Sequence, residues 1–409
     1  MKTIVAPEIV DEPPSNTTGI LGVEDDEPLG SAASRFFASV GPGNWHDWRW
    51  QFKNRITSVE ELSRYLPLSG KQQTQLRLVS LKYPFAVTPY YLSLINPTDH
   101  ADPVRAQAVP VAEELTMAGE GLEDPLAEQA HSVVPGLVHR YPDRVLMVLT
   151  DICPMLCRHC TRKREWRTGV WTRSPAEIQA MLDYIRRRPE VRDVVISGGD
   201  PLTLSTARLE AVLAGLRGIK HVEIIRFGTR CPVVLPQRID DELCQVLSKY
   251  GPIWLNTHFN HPREITPEAM SACDRLLRAG VPVNNQAVLL KGVNDSLETQ
   301  RALCQGLLRA KVRPYYLFQC DDVQGTEHFW TPVEKGLQII EGLRGFTSGL
   351  AVPTYVIDLP HGGGKIPVGP NYILGQEGDG FLVRNYQGHL SHYKNPENIQ
   401  VMCQERVPA

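Results

Sequence analysis

The sequence lacks a long hydrophobic run, a strong excess of charge and a secretion signal. No stretch of about 18 uncharged apolar residues occurs, which excludes a membrane-spanning helix. The apolar run after Lys2 ends before Pro7 and is too short for a signal peptide, so we expect a cytoplasmic protein. A net charge of −3 gives no reason to expect DNA or an acidic membrane as a dominant partner.

Composition and hydrophobic periodicity divide the 409 residues into four predicted regions. Residues 1–30 carry seven acids, one lysine and four prolines and have no hydrophobic periodicity, which is typical of disorder. Further on, Ser58 and Glu61 have the spacing of a helix cap. The predicted regions are an acidic, disordered extension (residues 1–35), a helical N-terminal domain (36–135), a β/α core (136–330) and a C-terminal segment (331–409).

From residue 144 onward, short apolar runs alternate with helical patterns. The predicted strands are residues 145–150, 194–197, 222–227, 253–258, 281–289 and 312–318, and a helix follows each of the first five. This alternation predicts six parallel β/α units in a closed or partly open barrel. Residues of unusual type lie in or after five of the six strands: Cys153 to Cys160, Gly198 to Asp200, Asn256 with His258, Gln286, and Asp321. Because barrel enzymes carry their chemistry at the carboxyl ends of the strands, the pattern indicates one active site there.

Three cysteines, Cys153, Cys157 and Cys160, lie within eight residues in the spacing C-x3-C-x2-C. Thiolates select zinc or iron–sulfur clusters. A structural zinc ion needs four ligands, and His159, between two of the cysteines, is poorly placed to reach the same ion. Three cysteines on one loop suit a four-iron cluster with one iron open to a small molecule. The plain alternative is a chance group of buried thiols.

The cysteine triplet after the first strand resembles the cluster loop of the radical S-adenosylmethionine (SAM) superfamily. The stretch Ser197-Gly-Gly-Asp200 is similar to the glycine motif by which that superfamily holds SAM. The resemblance implies a partial (β/α)6 barrel of the TIM type, with a 4Fe–4S cluster on the cysteines and SAM on the open iron. It implies a SAM site formed by His159, Ser197, Gly198, Gly199, Asp200, Asn256, His258 and Gln286.

Near the C-terminal end, Lys365 follows three glycines. The frame of a phosphate-binding loop is absent because Ile366, rather than serine or threonine, comes next. A lysine that forms a Schiff base with pyridoxal phosphate (PLP) is the better interpretation. Arg140 and Arg144 supply the cations that a phosphate needs, although either arginine alone is more often a surface ion pair.

These stretches together resemble the lysine 2,3-aminomutase family, the PLP-dependent radical SAM aminomutases. The similar segments are residues 44–51, 139–144, 153–164, 256–264, 313–316, 319–321 and 352–365. The resemblance implies that Lys365 is the PLP lysine and that Arg140, Tyr141 and Arg144 bind the cofactor. It also implies a C-terminal segment that carries the PLP lysine beside the barrel.

The same resemblance assigns the two ends of the substrate. Arg162 would pair with the substrate carboxylate, which a planar guanidinium binds through two hydrogen bonds. Asp321 and Asp358 would bind the far end of the amino acid, and two carboxylates favour a cationic side chain there. The expected substrate is therefore L-lysine, with L-arginine as the rival. The plain alternatives are a basic loop around Arg162 and a turn cap at Asp358.

The chain departs from the family pattern at several positions. Family members with a zinc site use C-terminal cysteines and one cysteine of a neighbouring subunit. Here the tail offers only Cys403, and Ser296 stands where the partner cysteine is expected, which makes a structural zinc doubtful. Phe318 replaces a usual tyrosine, and Leu359 and His361 are changes beside Asp358.

The reaction implied by the resemblance moves the α-amino group of L-lysine to C3 and yields L-β-lysine. It requires a reducing partner of the flavodoxin or ferredoxin type, and the family resemblance implies a homo-oligomer. A nucleic-acid-binding metal module is the remote alternative, suggested by the basic stretch 158–173. A radical SAM enzyme without PLP is a third possibility, against which Lys365 and the arginine pair argue.

Overall fold

The N-terminal part of the chain is a set of short helices. The computed structural model describes residues 36–117, 119, 121–167 and 169–396, so the predicted acidic extension and Cys403 lie outside the described residues. The helices are Pro42–Trp45, Trp48–Lys53, Val59–Leu62, Gly70–Lys82, Pro89–Ser93, Pro103–Ala108 and Glu113–Thr116. The predicted cap is confirmed, because Ser58 Oγ accepts a hydrogen bond from Glu61 N at 3.2 Å.

Ten strands form one continuous sheet whose spatial order follows the chain. They are β1 Ser132–Val134, β2 Leu137–Tyr141, β3 Arg144–Val148, β4 Asp193–Ser197, β5 Ile224–Gly228, β6 Ile253–Thr257, β7 Val283–Leu289, β8 Arg313–Gln319, β9 Thr354–Leu359 and β10 Gly364–Pro367. Strands β3 to β9 are parallel, while β1, β2 and β10 add antiparallel edges. The six predicted parallel strands are β3 to β8, which confirms the barrel-type fold.

The C-terminal segment extends this sheet. Thr354–Leu359 forms β9, a seventh parallel strand, and β10 pairs with β9 in the antiparallel direction. The alternation of residues could reveal a strand here but not its partner, because pairing depends on the rest of the sheet. The predicted bounds of the four regions stay predictions.

Helices cover the outer face of the parallel strands. They are Pro175–Arg186, Thr206–Arg217, Asp241–Lys249, Pro267–Arg278, Leu297–Arg309 and Val333–Leu343, with a short helix at Cys231–Val234. Buried side chains of the barrel and of the N-terminal helices belong to one hydrophobic core. The N-terminal helices are therefore packed against the barrel rather than separate from it.

A small antiparallel sheet ends the described chain, formed by β11 Ile373–Glu377, β12 Gly380–Arg384 and β13 Leu390–Lys394. Its side chains are mostly exposed. In the part of the chain that the structure describes, no helix is both long and apolar enough to cross a membrane.

Candidate active site

One cavity of about 580 Å³ begins at the carboxyl ends of the parallel strands and reaches into the barrel. It brings together residues that lie more than two hundred positions apart in the chain. Of the predicted site residues, Asp321 and Asp358 do not line it. Those that do are Arg140, Tyr141, Arg144, Cys153, Cys157, His159, Cys160, Arg162, Ser197, Gly198, Gly199, Asp200, Asn256, His258, Gln286 and Lys365.

The three cysteines lie on the loop after β3, and all of them border this cavity. The N-terminal helices hold the loop, since Arg158 N donates to Gln107 O at 2.9 Å. Burial, and next the charge of Cys160, raise the pKa of Cys153. Among the described residues, no three Cys, His, Asp or Glu side chains stand around the position of a single metal ion. The three thiols share one cavity wall, and three soft sulfur donors on one loop fit an iron–sulfur cluster.

A buried ion network supports the cysteine loop. Arg158, between two of the cysteines, donates to Glu114 through Nε at 2.9 Å and Nη2 at 2.6 Å, and Lys163 Nζ lies 2.8 Å from the same carboxylate. Burial lowers the pKa of Lys163 to about 8, and the charge of Glu114 opposes that decrease. Removing one member would leave a buried charge without its partner, so the network fixes the loop firmly. No sequence signal pointed to Glu114.

The glycine turn after β4 lies directly against the start of the cysteine loop. Gly198 has a φ of +143°, and a Cβ atom there would collide with Thr150 O. A Cβ on Gly199 would lie 2.5 Å from the carbonyl of Asp151. The two glycines are therefore required by the close approach of backbone to backbone. Asp200 lines the cavity, but its carboxylate already accepts hydrogen bonds from the Thr229 hydroxyl and the Arg230 backbone N–H, both just after β5.

Arg230 is a cavity residue that the sequence reasoning missed. It follows β5, the one predicted strand end at which no candidate was chosen. Its buried guanidinium donates to Cys157 Sγ through Nη1 at 2.9 Å and to Glu264 Oε1 through Nη2 at 2.8 Å. A cation held there can offset the charge of thiolate ligands. Burial, and then Arg230, lower the pKa of His258 to about 4, so His258 is neutral near pH 7.

The hairpin of β9 and β10 places Lys365 directly opposite Asp358. The Lys365 ammonium lies 2.8 Å from Asp358 Oδ1, and Arg140 Nη2 lies 3.9 Å from the same oxygen. Lys365 N donates to Tyr141 Oη at 3.1 Å, and the guanidinium of Arg144 lies 4.2 Å from the Tyr141 ring centre. Asp358 thus pairs with cations rather than capping a turn. An amine beside two guanidinium groups fits an aldehyde cofactor that carries a phosphate.

Asp321 follows β8 and lies near the Asp358–Lys365 pair. Burial, and next the charge of Asp358, raise the pKa of Asp321 to about 7, while Lys365 and Arg140 oppose that increase. The two aspartates therefore share one polar region beside Lys365, which lines the cavity. Their proximity agrees with the prediction that they act together, but their role stays a prediction.

Arg162 has a carboxylate partner that the sequence did not reveal. Its side chain forms an ion pair with Glu128, which also lines the cavity. Glu128 lies in the irregular stretch before β1, where neither periodicity nor a motif marked it. The predicted carboxylate-binding arginine is thus not free in this arrangement.

The thiol loop, the glycine turn and the parallel barrel define a radical SAM protein, and residues 147–301 match the family model described as "Radical SAM superfamily". Residues 340–407 match the model described as "Lysine-2,3-aminomutase". The chain belongs to the lysine 2,3-aminomutase family. It is therefore an isomerase of the radical SAM class, whose chemistry uses SAM and a 4Fe–4S cluster.

Named relatives support this membership over nearly the whole chain. The chain is 53% identical to the L-lysine 2,3-aminomutase of Clostridium subterminale, over 90% of this chain and 88% of that protein. It is 49% identical to the L-lysine 2,3-aminomutase of Bacillus subtilis, over 87% of this chain and 75% of that protein. It is 43% identical to the glutamate 2,3-aminomutase of Clostridioides difficile, over 93% of this chain and 90% of that protein.

Proposed function

We propose that this protein converts L-lysine to L-β-lysine by moving the α-amino group to C3. The observation that carries the proposal is that one cavity joins the cysteine loop to the Lys365 hairpin. A radical formed beside the cysteine loop can then reach a substrate held beside Lys365 without leaving the cavity for bulk solvent. The names of several relatives support lysine, while the glutamate enzyme shows that substrate choice varies among relatives.

Each cofactor has residues that fit it. Cys153, Cys157 and Cys160 would hold the cluster, and the strand ends after β4, β6 and β7 would hold SAM. Lys365 would hold PLP, with the phosphate on Arg140 and Arg144. When bound, the cluster and SAM supply a hydrogen-abstracting radical, and PLP supplies the carbonyl carbon that carries the migrating nitrogen.

The residues of the chain position the two ends of the substrate. Arg162 binds the carboxylate, and Asp321 and Asp358 bind the ε-ammonium. Burying an ammonium costs free energy because the group loses its hydration, and two nearby carboxylates offset that cost. A substrate with a neutral side chain at that end would not need them. Asp358 already accepts an ammonium from Lys365 at 2.8 Å, which supports its role as a cation acceptor.

Further proposals concern the surroundings of the enzyme. A structural zinc is not included, because Ser296 caps the helix Leu297–Arg309 through its hydroxyl and offers no thiol.

An external reductant of the flavodoxin or ferredoxin type would supply the electron. Eight described cysteines are free thiols, which supports the reducing cytoplasm as the location. Exposed apolar side chains such as Phe346, Leu390 and Tyr393 support a homo-oligomer.

The test is side-by-side turnover by the reconstituted protein under anaerobic conditions. The enzyme is supplied with SAM, PLP and a chemical reductant, and with L-lysine, L-arginine, L-ornithine or L-glutamate in separate reactions. We expect β-lysine as the major product. A clear preference for arginine would change the substrate but keep the reaction, whereas a preference for glutamate would contradict the assignment of both aspartates.

Replacing Asp358 with asparagine is expected to raise the KM for L-lysine by about tenfold to a hundredfold, which corresponds to roughly 1.4–2.8 kcal/mol. The reason is that the variant removes one of two buried charges for the ε-ammonium. Steady-state kinetics measures the change, with PLP absorbance and iron content as checks of loading. Asp241→Asn, which alters an ion pair on an outer helix, is the matched control. An unchanged KM in Asp358→Asn would remove this residue from the substrate site.

Lysine binding is expected to strengthen by about tenfold as pH rises from about 6 to about 8. With its pKa at about 7, Asp321 is mostly neutral at the lower pH and mostly charged at the higher, and only the charged form attracts an ammonium. The groups that face Asp321 are Asp358, Asp322, Lys365 and Arg140. Calorimetric titrations of L-lysine across this range measure the effect. Asp321→Asn should flatten the profile, and an equally steep profile in that variant would contradict the assignment.

A further inference from the structure

Glu128 forms an ion pair with Arg162, the arginine that is assigned to the substrate carboxylate. Arg162 donates to Glu128 Oε2 through Nε at 2.9 Å and to Oε1 through Nη2 at 2.6 Å. The side chains of Arg162 and Glu128 are 17% and 10% exposed, so water screens this pair little. Burial alone would raise the pKa of Glu128, but the charge of Arg162 overrides it and lowers the pKa to about 2. Glu128 is therefore a charged carboxylate at any working pH.

The geometry of Arg162 leaves little room for a second carboxylate. A guanidinium binds a carboxylate best through two parallel N–H bonds, and Nε and Nη2 already hold Glu128 in this way. Its Nη1 donates to Gly198 O at 2.8 Å, in the glycine turn. Two carboxylates on one guanidinium would also repel each other. A substrate carboxylate that binds Arg162 through this same Nε and Nη2 edge therefore has to replace Glu128.

Arg164 offers Glu128 a second partner. Its Nη2 lies 3.0 Å from Glu128 Oε2 and 3.2 Å from Asp124 Oδ1. The Asp124 carboxylate also accepts from the backbone N–H groups of Glu128, at 3.1 Å, and Gln129, at 3.0 Å, and so fixes the turn that carries Glu128. Glu128 can leave Arg162 and stay paired, which removes the penalty of an isolated buried charge.

The turn belongs to a segment, residues 121–131, that we call the strap. The strap is tied to the loop after β8, because Leu122 pairs with Val323. It also contacts β2, where Arg140 Nη1 donates to Leu126 O at 3.2 Å. A change in the partner of Glu128 therefore acts on a segment that contacts several walls of the cavity.

We propose that Glu128 is a specificity-determining residue, an internal carboxylate that holds Arg162 until the substrate carboxylate displaces it onto Arg164. This inference rests on the proposed function, in which Arg162 binds the substrate carboxylate. It means that an amine without a carboxylate cannot release Glu128 and gains nothing from Arg162. The competition also lowers the apparent affinity for the correct amino acid, because only the displaced form is competent to bind.

The test compares equilibrium binding of L-lysine and of L-lysinamide, which has no carboxylate. Calorimetry is done on protein reconstituted with its cluster and PLP, without SAM, so that no turnover occurs. Glu128→Gln should bind L-lysine about tenfold more tightly than the wild type, because its internal competitor has lost its charge. L-Lysinamide affinity should change less than about twofold. Glu223→Gln, which alters the exposed pair with Arg192, is the matched control and should change neither.

Two arginine variants keep the inference falsifiable if Glu128→Gln is poorly folded. Arg164→Gln removes the receiving cation, so it should weaken L-lysine binding about threefold to tenfold, the opposite direction to Glu128→Gln. Unchanged or weaker lysine binding in a folded Glu128→Gln protein would overturn the inference, as would unchanged binding in Arg164→Gln. Arg162→Gln tests the underlying function: if it leaves lysine affinity intact, the carboxylate role of Arg162 is wrong. If Arg162→Gln weakens binding and Glu128→Gln does not tighten it, only the exchange is wrong.

Discussion

Replacing Cys157 with alanine is expected to reduce the formation of 5′-deoxyadenosine from SAM by more than about a thousandfold. The variant loses one of three thiols at the cavity wall. It also removes the sulfur that lies 2.9 Å from Arg230 Nη1, so a buried guanidinium faces a void where it had a partner. Both effects act against assembly of the cluster. The measurements are iron and sulfide content after reconstitution and the yield of 5′-deoxyadenosine.

The control for this variant is Cys244→Ala. Cys244 is a partly buried free thiol on the outer helix Asp241–Lys249, outside the cavity lining. Its loss should leave iron content and SAM cleavage at the wild-type level. A Cys157→Ala protein that assembles a full cluster and cleaves SAM normally would show that another residue is the third ligand.

The parallel barrel and most of the cavity wall could be predicted because two simple regularities specify them. Apolar runs alternating with helical patterns identify β/α units, and parallel strands bring their carboxyl ends to one edge. Asn256 and Gln286 were found in this way, from position alone. Arg230 belongs to the same class, and the end of β5 would have revealed it had that strand been treated like the others.

The partners of charged residues could not be predicted in this way. Glu128 and Glu114 lie in stretches without a motif, and each meets its arginine only because the N-terminal segment folds against the barrel. Sequence spacing describes neighbours on one element, whereas these pairs join separate elements. The partnership of Asp358 with Lys365 is a similar case, since it follows from the register of β9 with β10.

These pairs share a physical cause that bears on function. A buried charge needs an opposite charge, and the chain supplies one for Arg162 and Arg230. The more exposed Lys365 is also paired, with Asp358. Ligands that bind by charge must therefore exchange with an internal partner. For Lys365 the internal partner is Asp358, the same carboxylate that is proposed to receive the ammonium of the substrate.

Replacing Lys365 with alanine is expected to lower aminomutase turnover by roughly a thousandfold or more, because the cofactor loses its covalent attachment and its alignment with the substrate. The cluster and SAM binding should be retained, since the cysteine loop and the glycine turn belong to β3 and β4. The measurements are turnover, PLP absorbance after gel filtration, and iron content. Lys335→Ala, on the outer helix Val333–Leu343, should behave as the wild type in all three.

Borohydride reduction of the wild-type protein tests, without an activity measurement, whether Lys365 is the lysine that binds PLP. It should leave a pyridoxyl label on the peptide that contains Lys365. A label on Lys163 or Lys291 instead would contradict the assignment, because the hairpin of β9 and β10 would then hold a lysine that serves only Asp358.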